Sequence, residues 1–164
     1  MKKLWRKFFG KKRVRGFEVV APWARTVSKA QVILPHRATQ GSAGYDFHAL
    51  ETWVIAPGAI QPFFTDVKAY MPMDEVLHLY PRSSVGIKLG LMLANTVPTV
   101  DADYYGNPDN DGHIIIYLRN LNNYPVTVRA GDRIAQGVFE KYLIADNDPE
   151  DLPLRQGGVG STGR

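Results

Sequence analysis

No cysteine occurs among the 164 residues, which excludes both a disulfide framework and a thiolate zinc site. No apolar run approaches the roughly 18 residues that a membrane span requires. The opening stretch, Met1-Lys2-Lys3-Leu4-Trp5-Arg6-Lys7-Phe8-Phe9, breaks its hydrophobic residues with cations, so no secretion signal is read there and the cytoplasm is the expected location. Three signatures of common catalytic sites are also missing: the phosphate loop G-x-x-x-x-G-K-S/T, the nucleophile elbow G-x-S-x-G and the zinc motif H-E-x-x-H. Helical periodicity is scarce and is confined to a short turn near Ser84 to Leu89.

What remains is short, extended and turn-rich. Residues 17–21, 31–34, 52–55, 63–70, 76–80, 113–118, 126–128 and 134–144 are rich in β-branched and aromatic side chains. Pro57-Gly58, Asn107-Pro108, Asp111-Gly112 and Ala130-Gly131-Asp132 punctuate them. With 45% hydrophobic residues, the chain is long enough for one domain with a sizeable core. The expected fold class is therefore all-β, a barrel or jelly roll. Residues 17–145 form the expected core, flanked by a basic arm, residues 1–16, and by a mobile glycine-rich tail, residues 146–164. The first fifteen residues hold eight cations and no acid. Since the whole chain is at +4, the rest stands at −4 (+4 less +8). Leu4, Trp5, Phe8 and Phe9 would share one helical face, so the arm suits nucleic acid, an anionic membrane surface or a protein groove, or a solvated extension with no partner.

The densest chemistry lies in Val100-Asp101-Ala102-Asp103-Tyr104-Tyr105-Gly106. If this stretch is extended, Asp101 and Asp103 share one face, where two acids suit a metal, a water or a proton. An EF-hand is excluded, because Tyr105 and Gly112 stand where that loop needs oxygen ligands. Four other clusters fit the same chemistry. Ser42-Ala43-Gly44-Tyr45-Asp46-Phe47 places Asp46 after a small-residue turn that lets the backbone approach another surface. Tyr80-Pro81-Arg82-Ser83-Ser84-Val85-Gly86 offers a guanidinium and two hydroxyls, donors suited to polyphosphate, although Arg-Ser-Ser also occurs as a capped helix start. Gly131-Asp132-Arg133-Ile134-Ala135-Gln136 is a turn entering a strand, with an amide for a phosphate oxygen or a metal-bound water. Gly157-Gly158-Val159-Gly160-Ser161-Thr162-Gly163, with Arg155 upstream, suits backbone NH groups closing on an anion. Its composition also fits a flexible linker, and a lid is the expectation. His36, His48, His78 and His113 are scattered and read as structural.

Taken in order, the five clusters resemble the five motifs of the trimeric dUTP diphosphatase (dUTPase) family, in the form found in some bacteria and their phages. The resemblance spans roughly residues 41 to 164. It implies a distorted β-barrel that assembles as a homotrimer, with each active site drawing on all three subunits. It implies hydrolysis of dUTP to dUMP and pyrophosphate with Mg²⁺. By resemblance, Asp101 matches the base that activates the attacking water, with Asp103 as a supporting acid. Tyr104 matches the tyrosine that packs on the deoxyribose, and Asn95 an asparagine at the uracil pocket. Ser83 and Gln136 match phosphate contacts, with Arg82 and Ser84 in the same motif as Ser83. Asp46 lies near the metal and water network, and Arg155, Ser161 and Thr162 match the closing tail.

Two places depart from the family pattern. Val159 stands where an aromatic residue usually stacks on uracil, so weaker closure is expected. Pro98 and Thr99 precede Val100 where glycine and aliphatic residues are common, and proline fixes φ and removes an NH. Two alternatives accompany the main reading. One is a dCTP deaminase of the same fold, which would call for a catalytic glutamate near the hairpin. The other is a catalytically impaired dUTP-binding regulator.

Overall fold

The computed structural model describes residues 13–28, 31–149, 151–153, 155 and 157. Most of the basic arm, and Val159, Ser161 and Thr162 of the tail, lie outside the described residues. Among these residues eleven strands run in chain order: β1 (Gly16–Val19), β2 (Tyr45–His48), β3 (Trp53–Ile55), β4 (Ile60–Phe64), β5 (Val67–Tyr70), β6 (Glu75–Pro81), β7 (Leu91–Leu93), β8 (Thr99–Asp101), β9 (Ile115–Asn120), β10 (Val126–Val128) and β11 (Arg133–Lys141). Among the described residues, helix is seen as short turns at Pro22–Ala24, Ser84–Lys88 and Ala102–Tyr104. None of these is long and apolar enough to cross a membrane.

The expected all-β class is present. The strands pair antiparallel in four small sheets, ordered β1-β5, β10-β3, β2-β11-β6-β8 and β4-β9-β7, and among the described residues their hydrogen bonding does not close into a continuous barrel. A single core lies between them, with Phe47, Leu77, Leu79, Leu93, Ile116, Leu118 and Ile134 almost fully buried. Burial of each such side chain stabilises the fold by about 1.5–3 kcal/mol before the cost of ordering the chain.

Local chemistry explains where the strands stop. The continuous strand expected over 63–70 is broken at Thr65-Asp66, where Asp66 adopts φ 55°. Its buried carboxylate accepts the Thr26 NH, the Thr26 hydroxyl and the Val27 NH, at 2.9–3.0 Å. That turn is fixed by a partner 40 residues away in sequence. The strand expected over 31–34 is loop instead, joined to β2 by one bridge, His36 to Asp46. Pro62 sits in β4, which is an edge strand and therefore tolerates the missing NH.

His113 closes the same corner. Its Nε2 accepts the Asp66 NH at 2.8 Å, so the ring is held neutral, and burial pushes its pKa below the ordinary 6.5 against the opposing pull of Asp66. A histidine held neutral in the fold binds protons more readily once unfolded. Its stabilising contribution is therefore complete above pH 6.5 and is lost as pH falls through that value toward the folded-state pKa. Thermal melts at pH 7.5 and 5.5 are expected to show a larger drop in Tm for the wild type than for His113→Gln. Equal drops would remove His113 from the acid sensitivity.

Candidate active site

The four-stranded sheet carries two clusters of functional side chains at opposite ends of β6. At one end, Val100 of β8 pairs with Leu77 and points into the core. Strand alternation then turns Asp101, opposite Val76, toward the surface. The strand ends at Asp101. Ala102–Tyr104 form a 3₁₀ turn, so Asp101 and Asp103 do not share a strand face as the sequence pattern suggested. They converge on Arg155 instead. The Arg155 guanidinium donates to Asp101 Oδ2, its backbone NH donates to Asp103 Oδ2 at 3.1 Å, and its Nε lies 3.5 Å from Asp103 Oδ1 as an ion contact.

Asp101 and Arg155 border a cleft of about 260 Å³ whose walls also include Asn95, Pro98, Tyr104, Asn110 and Ile115. Asn95 follows β7 in a tight turn where Thr96 takes φ 62° and its NH donates to the Leu93 carbonyl. Pro98 occupies the position just before β8, and its carbonyl accepts the Leu79 NH at 2.9 Å. The missing proline NH therefore leaves this tie to β6 intact.

At the other end of β6, Asp46 of β2 lies opposite Gln136 of β11. Asp46 is 2% exposed. One of its oxygens accepts the Arg82 guanidinium and the other lies 3.3 Å from Arg133 Nη1. A carboxylate buried this deeply requires such pairing, and here it fixes two guanidiniums at the edge of a second cleft of about 490 Å³. Ser83 and Ser84 follow Arg82 and are exposed at the start of the Ser84–Lys88 turn. Gln136 lies across Gly44: a Cβ there would stand 2.3 Å from Gln136 Oε1, so the small residue is what lets the amide sit at this rim. A bulge in β11 between Arg133 and Ala135 re-aims Arg133 toward Asp46.

The sequence candidates therefore fall into two groups. Asp101, Tyr104, Asn95 and Arg155 meet at the first cleft, with Asp103 behind Arg155, and Asp46, Arg82, Ser83, Ser84 and Gln136 at the second, with no lining residue in common. Asp101 is level with Val76, and Arg82 lies six residues further on, just past the end of β6, which at the rise of an extended strand places them ~20 Å apart. Sequence reasoning gave no role to Arg133 or Asn110. Arg133 was flagged only by its place in the Gly131 to Gln136 motif, and Asn110 by nothing in its local string.

Among the described residues, no group of three or more His, Cys, Asp or Glu could hold a metal ion. Asp46 already has guanidiniums on both oxygens, so any contact with a cation would run through water. This donor set fits Mg²⁺, which characteristically keeps several waters and takes substrate phosphate oxygens with at most one or two carboxylates.

Comparison with known proteins bears on what these clefts do. The model of the family described as dUTPase matches residues 30–163. The chain is 46% identical over 152 residues to the deoxyuridine 5′-triphosphate nucleotidohydrolase of Lactococcus lactis subsp. lactis, covering 92% of this chain and 99% of that one. The crystal structure of dUTPase from Streptococcus mutans superposes with a TM-score of 0.72 at 42% identity, covering 80% of this chain and 99% of the other. The dUTPase of phage phi11 of S. aureus has the same fold, with a TM-score of 0.66 at 21% identity over 84% of this chain and 97% of that one.

Proposed function

The chain belongs to the dUTPase family and hydrolyses dUTP to dUMP and pyrophosphate, and we propose that Asp101 is the base that activates the water for this reaction. The observation that carries the proposal is the convergence of Asp101, Tyr104, Asn95 and Arg155 on one cleft. Uracil lies toward Asn95 and the chain at Pro98 to Val100, and the deoxyribose packs on Tyr104. The α-phosphate then faces Asp101. A water held by the Asp101 carboxylate gives its proton to that carboxylate as its oxygen bonds to the α-phosphorus. The bond from the α-phosphorus to the bridging oxygen breaks, and pyrophosphate leaves with the electron pair. Mg²⁺ bound to the phosphate oxygens would neutralise charge on the triphosphate. Arg155 exchanges its carboxylate partners for phosphate oxygens, aided by Ser161 and Thr162 of the tail.

The remaining phosphate donors, Arg82, Ser83, Ser84 and Gln136, come from another copy of the chain. The ~20 Å along β6 supports this, since a triphosphate is only two P–O–P links long and does not reach from Asp101 to Arg82 of the same chain. Asp46 holds Arg82 and Arg133 in place and would meet Mg²⁺ only through water. We infer a homotrimer, the assembly that the family resemblance implies. Several apolar side chains at the surface, including Ile87, Leu143 and Ile144 at 84, 98 and 66% exposure, support an assembly that buries them. The proposed location is the cytoplasm.

A nucleotide panel tests this reading. Pyrophosphate release is expected from dUTP in preference to dCTP, dTTP and UTP, with no ammonia released from dCTP. Ammonia would indicate the deaminase, and tight dUTP binding without pyrophosphate release would indicate a regulator that has lost turnover.

A further inference from the structure

Tyr104, read above as the wall against the sugar, is held at its hydroxyl from two sides. The phenol donates to the His113 carbonyl at 3.1 Å and accepts from Asn110 Nδ2 at 2.7 Å. Asn110 belongs to the loop after the 3₁₀ turn, which folds back on Tyr104. The Asn107 NH donates to the Tyr104 carbonyl, and the Asp111 NH donates to the Asn107 carbonyl at 2.7 Å. Positive φ values at Gly106, Asp111 and Gly112 make the reversal possible. At Gly112 even a Cβ would stand 2.5 Å from the Tyr104 carbonyl oxygen.

The orientation of the Asn110 amide is fixed by the same loop. Its Oδ1 accepts the Gly112 NH at 3.1 Å, which leaves Nδ2 facing the phenol. Asp111 then anchors the loop to the rest of the molecule, accepting the Ala21 NH at 2.6 Å and Lys68 Nζ at 2.7 Å. Asn110 also borders the cleft itself.

We infer that Asn110 is a positioning residue for sugar selectivity, holding the Tyr104 ring so that it does not yield to a 2′-hydroxyl. The inference rests on Tyr104 being the sugar wall. A steric wall discriminates only as far as it resists displacement, and a phenol tethered by one hydrogen bond can swing about it. A second tether removes that freedom. A net hydrogen bond of the usual strength corresponds to roughly 5- to 10-fold in a rate ratio.

The test compares kcat/KM for dUTP with kcat/KM for UTP in the wild type, Asn110→Ala, Tyr104→Phe and the double variant, with Tm recorded for each. Asn110→Ala is expected to lower the dUTP/UTP ratio roughly 5- to 10-fold, mainly by raising turnover of UTP. In the Tyr104→Phe background the same substitution is expected to change nothing further. An unchanged ratio in Asn110→Ala would overturn the inference. So would an equal loss in the Tyr104→Phe background, because that effect would run through the Gly112 contact and not through the phenol. Tyr104→Leu separates the two levels. If the ratio survives in Tyr104→Leu, the sugar-wall reading fails with everything built on it. If it is lost there but kept in Asn110→Ala, only the positioning role fails. Should Asn110→Ala not fold, Asn110→Ser carries the same comparison, with a hydroxyl for the Gly112 NH but too short a reach for the phenol.

Discussion

Asp101→Asn is expected to reduce pyrophosphate release from dUTP by about 10²–10⁴-fold, the usual range for loss of a positioned general base. Asparagine fills the same volume at the end of β8 and keeps an oxygen for hydrogen bonding, yet it cannot accept the proton of the attacking water. The pairing of Val100 with Leu77 that aims this position is untouched, so the loss should appear in kcat with little change in Tm. Binding of dUTP should persist or tighten, because the substitution removes a negative charge beside a polyanion and releases Arg155 from one of its two carboxylates. Isothermal titration with a non-hydrolysable dUTP analogue, set beside steady-state pyrophosphate release, measures the two effects separately. Full turnover in Asp101→Asn would remove Asp101 from the mechanism.

Arg82→Ala is expected to be nearly as damaging from the opposite end of β6. It removes the guanidinium proposed to meet the phosphates and leaves Asp46 buried with only Arg133, which is 3.3 Å away and about half exposed. A buried carboxylate that loses its main partner is costly, so some loss of Tm is expected with the loss of turnover. On the proposal that no single chain completes the site, the two variants damage different halves of it. Each should be close to inactive alone, and an assembly containing both should recover activity. A site in a random mixture is intact when Asp101 comes from an Arg82→Ala chain and Arg82 from an Asp101→Asn chain, which is roughly one site in four.

Much of the candidate site was readable in the sequence, because its residues come in short strings. Asp101 and Tyr104 are three residues apart, Arg82 to Ser84 are consecutive, and Gln136 follows its turn directly. The strands β10 and β6 were also plain from their β-branched and aromatic runs. The failures share a physical cause, which is a partner distant in sequence. The strand expected over 63–70 is split because Asp66 takes a left-handed conformation to hold Thr26 and Val27. β2 is absent from the expected strands because its pattern is not alternating: Asp46, Phe47 and His48 are all buried, and Asp46 is tolerated inside only through Arg82 and Arg133. The face shared by Asp101 and Asp103 was assigned by strand periodicity, whereas a 3₁₀ turn and Arg155 bring the two acids together. Asn110 was invisible because an asparagine in Asn-Pro-Asp-Asn-Asp-Gly reads as turn chemistry until its contact with Tyr104 is seen.

The division of the site between copies is the claim on which the rest depends, and co-assembly tests it most directly. Asp101→Asn and Arg82→Ala chains, carrying different affinity tags, would be refolded together and isolated by both tags before pyrophosphate release from dUTP is measured. Every trimer that carries both tags has one intact site in three, so the mixed assembly should regain roughly a third of wild-type activity per site, while each variant treated alone stays near background. A mixed assembly as inactive as its parents would contradict the account and place base and phosphate donors in one chain.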